Sequence, residues 1–168
     1  VRRTDGARWA VEQKIADPHR ICIVGWSFGG YLALVGAQRN PDLFRCSVDI
    51  AGISDLGLLI SEGQSYINGY DYRRAQLGPD PEKLKRDSPR RHAAEFAVPL
   101  LMLHGDMDAQ ALFEQSTDMD SALKQAGKPH RFVTFKDGDH QFSDVKDRAL
   151  MLREIEKFLA ENLPVDTT

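Results

Sequence analysis

The apolar residues of this chain switch repeatedly between helical spacing and short continuous runs. In residues 5–16, Ala7, Val11 and Ile15 share one helical face, with Trp9 and charged residues elsewhere. Asp17-Pro18 closes that helix, because proline disfavours helical geometry in the residue before it. Ile21-Cys22-Ile23-Val24 is a continuous, β-branched apolar run, the pattern of a strand buried on both faces. A glycine-rich turn follows, and residues 31–38 resume helical periodicity until Asn40-Pro41. Residues 44–50 read as a second strand ending at Ala51-Gly52, residues 98–103 as a third, and residues 130–135 as a fourth. Residues 111–125 are expected to be helical, with Gly127 as the stop. A last helix is expected near Ser143 as N-cap, carrying Val145, Ala149, Leu152, Ile155 and Leu159 along one stripe. Residues 54–96 are less regular, mixing Gly63, Gly69, Gly78, Pro79, Pro81 and Pro89 with a charge cluster at 82–86. They predict short helices and loops in an excursion that covers a site. Strands alternating with helices predict an α/β fold with a parallel sheet and helices on both faces.

Composition narrows the function classes. With 22 Lys+Arg against 25 Asp+Glu, the net charge is −3, which argues against nucleic acid as a partner. No apolar run approaches the roughly 18 residues that span a bilayer, so no membrane partner is expected. Val1-Arg2-Arg3-Thr4-Asp5 lacks the apolar core of a signal peptide. Cys22 and Cys46 lie in strand runs and are expected to be reduced core residues. The histidines have no metal-ligand spacing, so neither a metal nor a cofactor is expected. The 82–86 cluster reads as a solvated helix face.

The strongest chemical signal is Gly25-Trp26-Ser27-Phe28-Gly29, a G-x-S-x-G between a strand and a helix. Such a turn strains the serine backbone and lifts its hydroxyl above the sheet. Both glycines are expected to avoid collision with the neighbouring strand and helix. Ser27 is thus the candidate nucleophile, and the Phe28 backbone N–H at the helix start is the candidate oxyanion donor. A serine hydroxyl needs a histidine to take its proton and an acid to orient that histidine. In doubly wound hydrolases the chain order is Ser, acid, His. His19 precedes Ser27, while His104 and His130 sit where strands end or begin, and His92 lies in the excursion. His140 alone lies in a loop after the fourth strand. It is the candidate base, with an exposed loop histidine in an acidic stretch as the alternative. The loop after the third strand offers Asp106 and Asp108; Asp108, farther along it, is the favoured acid, and Asp106 the favoured turn cap. Tyr66, Tyr70 and Tyr72 are candidates for a pocket lining, with plain packing the more frequent role.

Gly25-Trp26-Ser27-Phe28-Gly29-Gly30-Tyr31, Ser88-Pro89 with His92-Ala93 ahead of Val98-Pro99, and Leu103-His104-Gly105-x-x-Asp108 together resemble the catalytic domain of the prolyl oligopeptidase family. The resemblance runs from about residue 5 to 163. It implies an α/β-hydrolase fold and a serine peptidase that hydrolyses oligopeptides through an acyl-enzyme. It also implies Ser27 as nucleophile, Asp108 as acid and His140 as base. The family usually has tyrosine where Phe28 stands, Val-Pro shortly after the acid, and a glycine where Gln141 stands. A carboxylesterase of the same fold, or a catalytically incomplete fragment, are the alternatives.

Ser27 arrives after only one helix and one strand, whereas a doubly wound hydrolase should already have laid down several strands. Residues 1–168 are therefore expected to be a single partial domain, the C-terminal portion of an α/β-hydrolase. Its partners would be a peptide substrate and the missing N-terminal part of the same protein, which the resemblance implies supplies the second oxyanion donor and the substrate amino-terminus anchors. Ile21–Val24 would then become an exposed apolar edge.

Overall fold

The computed structural model describes residues 4–164; Val1, Arg2 and Arg3, the start read above for a signal peptide, lie outside them. Four strands, β1 (Cys22–Trp26), β2 (Cys46–Ile50), β3 (Leu100–Gly105) and β4 (His130–Phe135), form one sheet in the order β1-β2-β3-β4. Every pairing is parallel. Parallel neighbours need crossovers, and helices supply them. The crossovers hold α2 (Phe28–Arg39), α3 (Leu56–Glu62), α4 (Gly69–Leu77), α5 (Pro81–Arg86) and α6 (Glu114–Gln125), with 3₁₀ turns at Gly63–Ser65 and Pro89–Glu95, while α1 (Asp5–Glu12) precedes β1 and α7 (Val145–Asn162) follows β4.

The strand period of two splits the sheet's side chains into two cores. Val48, Ile50, Leu101, Leu103 and Phe135 pack with Met151 and Phe158 of α7. Leu100 and Met102 pack on the opposite face with Leu34 of α2, Ala93, Phe96, and Met119 and Leu123 of α6. β2 and β3 are buried throughout, as their apolar runs predict. β1 is not. Val24 is 48% exposed, because no strand among the described residues pairs with the outer edge of β1.

The irregular segment is a run of short helices. Asp55 caps α3 by accepting from Gly57 N and Leu58 N, and Asp80 caps α5 ahead of Pro81. Tyr31, Ile53, Leu56, Ile60 and Leu84 form a separate apolar cluster beneath them.

Two helical expectations shift. In α7 the buried residues are Met151 and Phe158, with Ile155 and Leu159 packed beside them, while Val145 and Leu152 are exposed. Turning the helix this way buries the larger Met and Phe side chains, which remove more apolar surface from water. Its N-cap is Asp144, which accepts from Lys146 N at 2.7 Å; Ser143 N instead donates to Asp139 Oδ1 at 2.9 Å. α1 stops at Glu12, where Lys14 takes a positive φ of 59°, and Ile15 is left exposed.

The cysteine expectation is overturned. Cys22 and Cys46 are joined in a disulfide. The register sets them directly opposite each other, with Cα atoms 4.7 Å apart, inside the span a disulfide bridges. The bond ties the edge strand to its neighbour. The protein denatured without reductant is expected to show no free thiol from this pair on thiol titration. Closing a loop of this length contributes about 3 kcal/mol in the chain-entropy picture. Reduction should therefore lower the unfolding midpoint in urea, and two titratable thiols before reduction would contradict the pairing.

Candidate active site

The C-terminal ends of β1, β3 and β4 deliver Ser27, Asp108 and His140 respectively. Ser27 follows β1 with φ 58° and ψ −123°, an uncommon conformation for a residue with a side chain. The turn is held by Ser27 N donating to Ile50 O at 2.8 Å and by Gly30 N donating to Ser27 O at 2.9 Å. A Cβ on Gly25 would lie 1.9 Å from Gly29 O, so no side chain fits there. Gly29 differs from expectation: a Cβ would meet nothing within 4 Å, and the second glycine forced by packing is Gly30. Phe28 opens α2, so its N–H belongs to the first helical turn, where backbone donors have no partner within the helix. Its half-exposed ring stacks on Tyr31 at 5.1 Å.

The loop after β3 wraps around the Asp108 carboxylate. Oδ1 accepts from Gln110 N at 2.8 Å and Ala111 N at 2.9 Å. Oδ2 accepts from His140 Nδ1 at 2.6 Å and His104 Nε2 at 3.1 Å. Burial alone would push this carboxyl up, but the hydrogen bonds from His104, His140, Ala111 and Gln110 outweigh it and hold it well below the usual carboxylate range. Asp106 does something else. It accepts from Asp137 N at 2.6 Å, bracing the loop after β4.

His140 is buried, so it is not an exposed loop histidine. Its backbone oxygen accepts from Trp26 Nε1 at 3.1 Å, which links the residue before Ser27 to the loop after β4. Trp26 and His104 are site residues the sequence reading passed over. Their signals were present: Trp26 is the variable residue inside the G-x-S-x-G, and His104 stands four residues before Asp108. Ser27 Oγ makes no hydrogen bond among the described residues. The remaining histidines lie apart: His92 contacts Glu95, His130 contacts Asp120, and His19 is exposed ahead of β1.

A cavity of about 370 Å³ opens beside the serine, lined by Ser27, Phe28, Ile53, Leu59, Tyr66 and Tyr72 among others. Two of the three candidate tyrosines thus line it. Tyr70 lines a separate cavity and packs against the α3 cluster.

The model of the prolyl oligopeptidase family matches residues 3–165. The chain is 31% identical over 165 residues to dipeptidyl aminopeptidase BIII of Pseudoxanthomonas mexicana, covering 95% of this chain and 24% of that protein. Among solved structures it resembles a puromycin-hydrolyzing peptidase of Mycobacterium tuberculosis, with TM-score 0.85 and 28% identity over 96% of this chain and 24% of that one. It also shares its fold with an acylaminoacyl peptidase of Pyrococcus horikoshii, with TM-score 0.83 and 24% identity over 96% of this chain and 27% of that one. These neighbours are α/β-hydrolase peptidases, and this chain spans about a quarter of their length.

One carboxyl near the site lacks what Asp108 has. Asp49 of β2 is 2% exposed, and its Oδ1 has no hydrogen-bond partner. It occupies the space that Gly30 and Gly52 leave open; a Cβ on either would fall within 2.1 Å of that oxygen. Burial pushes its pKa up to about 7. An acid raised on folding stabilises the fold while protonated and loses that contribution as pH rises. Relative to Asp49→Asn, the protein should lose stability between about pH 4 and about pH 7, at no more than about 1.4 kcal/mol per pH unit, and level off above. Urea midpoints across that range test it; parallel curves would contradict it.

Proposed function

Because this chain belongs to the prolyl oligopeptidase family, we propose that it carries the catalytic triad of a serine peptidase acting on oligopeptides, with Ser27 as nucleophile, His140 as general base and Asp108 as the orienting acid. The observation that carries this reading is the 2.6 Å bond from His140 Nδ1 to Asp108 Oδ2. A carboxylate that only accepts hydrogen bonds fixes the proton on Nδ1. His140 Nε2 is then left with a lone pair for the Ser27 proton. The lowered pKa of Asp108 keeps its charge in place wherever a histidine titrates.

Ser27 Oγ attacks the scissile carbonyl carbon while its proton passes to His140 Nε2. The carbonyl oxygen gains the negative charge, and the Phe28 N–H donates to it. The tetrahedral species collapses by breaking the C–N bond. The proton on His140 goes to the departing amine, leaving an ester on Ser27. Water then attacks that ester and gives its proton to His140, which passes it to Ser27 Oγ as the ester C–O bond breaks and the acid leaves. The hydrogen bond from Ser27 to His140 forms with substrate bound, since such bonds tighten in the complex. The apolar cavity lined by Phe28, Ile53, Tyr66 and Tyr72 suits the side chain on the acyl side of the cleaved bond. The rest of the full-length protein is proposed to supply the second oxyanion donor and the anchors for the substrate's amino end.

The complete gene product should label with a fluorophosphonate and hydrolyse peptides, and Ser27→Ala should abolish labelling and reduce peptide turnover by roughly 10⁴-fold or more. Asp108→Asn should lose about 10⁴ in kcat through the wrong imidazole tautomer. Turnover of matched esters without peptides would replace the peptidase by the esterase reading. Absence of both labelling and turnover would favour a catalytically incomplete protein.

A further inference from the structure

Asp108 Oδ2 carries two histidines, and the triad uses one. The other, His104, is fully buried at the end of β3. Its Nε2 faces two groups that can only accept, Asp108 Oδ2 at 3.1 Å and the backbone oxygen of Ala111 at 2.9 Å. Nε2 must therefore carry a hydrogen, which it shares between them. Its Nδ1 lies 2.7 Å from Ser116 Oγ in the first turn of α6. The Ser116 hydroxyl has no other partner among the described residues, so donating to Nδ1 satisfies both groups and leaves His104 neutral. The edge of the Phe113 ring closes the side of the imidazole at a centroid distance of 5.7 Å.

This arrangement constrains the carboxylate completely. Oδ1 is fixed by the N–H groups of Gln110 and Ala111. Oδ2 offers two lone pairs, and His104 fills the one that His140 does not. Without His104, one lone pair of Oδ2 goes unfilled, and the bond to His140 loses the donor that holds it to the other.

We propose that His104, set by Ser116, is a positioning residue that fixes Asp108 Oδ2 toward His140 and moderates the pull of the carboxylate on the protonated imidazole. This rests on the triad reading above. A neutral donor on Oδ2 draws off part of the negative charge that His140 senses when it is protonated. Removing that donor should raise the pH at which His140 protonates. The other titratable group that acts on His104 is Asp49 on β2, so it must be controlled for.

The test is steady-state kinetics of the complete gene product across pH. His104→Phe keeps a planar ring and removes the donor. We expect kcat to fall by about 10–100-fold with KM within about twofold, as for loss of a group that orients a reacting side chain. The acidic limb of kcat/KM should move to higher pH, and it should move equally in an Asp49→Asn background. His104→Gln, whose amide N–H reaches where Nε2 stands, should recover most of the rate and return the limb. Ser116→Ala should shift the limb in the same direction by less. A fall in kcat with the limb unmoved and no recovery in His104→Gln would reduce His104 to packing and overturn the proposal, as would an unchanged His104→Phe. If His104→Phe does not fold, Ser116→Ala decides: a shifted limb supports the proposal and an unmoved one overturns it. Failure of the triad reading looks different, because Ser27→Ala would then retain turnover.

Discussion

Asp108 accepts four hydrogen bonds on two oxygens while nearly excluded from water. A buried carboxylate is tolerable only when each oxygen is satisfied, so every group that donates to it must be delivered to a fixed place. Two donors are local, from the turn at Gln110 and Ala111. The other two come from different strands' ends, and they require β3 and β4 to run side by side to the same height. Their register, from Leu100 opposite His130 to Gly105 opposite Phe135, meets that requirement. Beyond the last pair the two loops touch: Asp106 N donates to Phe135 O and Met107 N to Gly138 O, both at 3.0 Å. A Cβ on Gly105 would lie 2.2 Å from Gly138 O. Glycine is needed there because two backbones, not two side chains, set the distance between the loops that carry Asp108 and His140.

Ser27 joins this frame through the other side of the sheet. β1 pairs with β2 and not with β3, so nothing in the ladder carries Ser27 to His140 directly. Trp26 bridges the gap, donating to the backbone oxygen of His140 and meeting Phe142 edge-on at 5.5 Å. Phe142 in turn meets Phe135 at 4.8 Å. The aromatic series runs from the strand before the serine to the strand before the histidine, above the α7 core. On the opposite side, the excursion grips the Asp108 loop: Tyr66 OH donates to Ala109 O and Arg73 to Gln110 O. Those contacts join the wall of the cavity beside Ser27 to the loop that holds Asp108.

Much of this was legible in the residue pattern, and the limits follow from range. All four strands are visible because each is a short apolar run between turns, and chain order at strand ends picks out Ser27, Asp108 and His140 as candidates, of which the structure joins the last two. Asp106 and Asp108 were separable by position in their loop, and the structure sets the nearer one on Asp137 N and the farther one on His140. What could not be read was register and phase. Cys22 and Cys46 stand 24 residues apart, and only the parallel pairing sets them face to face. The stripe of α7 had the right period, but the wrong set of residues was assigned to the core because Met151 and Phe158 outweigh Val145 and Leu152. His104 read as a strand terminus because its partners, Ser116 and Asp108, meet it only when α6 closes over β3.

The same geometry explains why two carboxyls close to one histidine behave oppositely. Asp49 and His104 rise from the same face of the sheet, since Asp49 pairs with Met102 and His104 lies two residues farther along β3. Asp108 reaches His104 from the loop, where backbone N–H groups are free to turn toward it. Asp49 sits in mid-strand, where the backbone donors are already committed to the ladder, and its Oδ1 lies over Gly30 and Gly52 with no hydrogen-bond partner. Burial penalises charge on both, and only one finds donors to offset it. The sheet thus fixes which acid near the site is ionised. A carboxylate beyond the strand end holds its charge and its bond to His140, and a carboxyl inside the strand keeps its proton up to about pH 7.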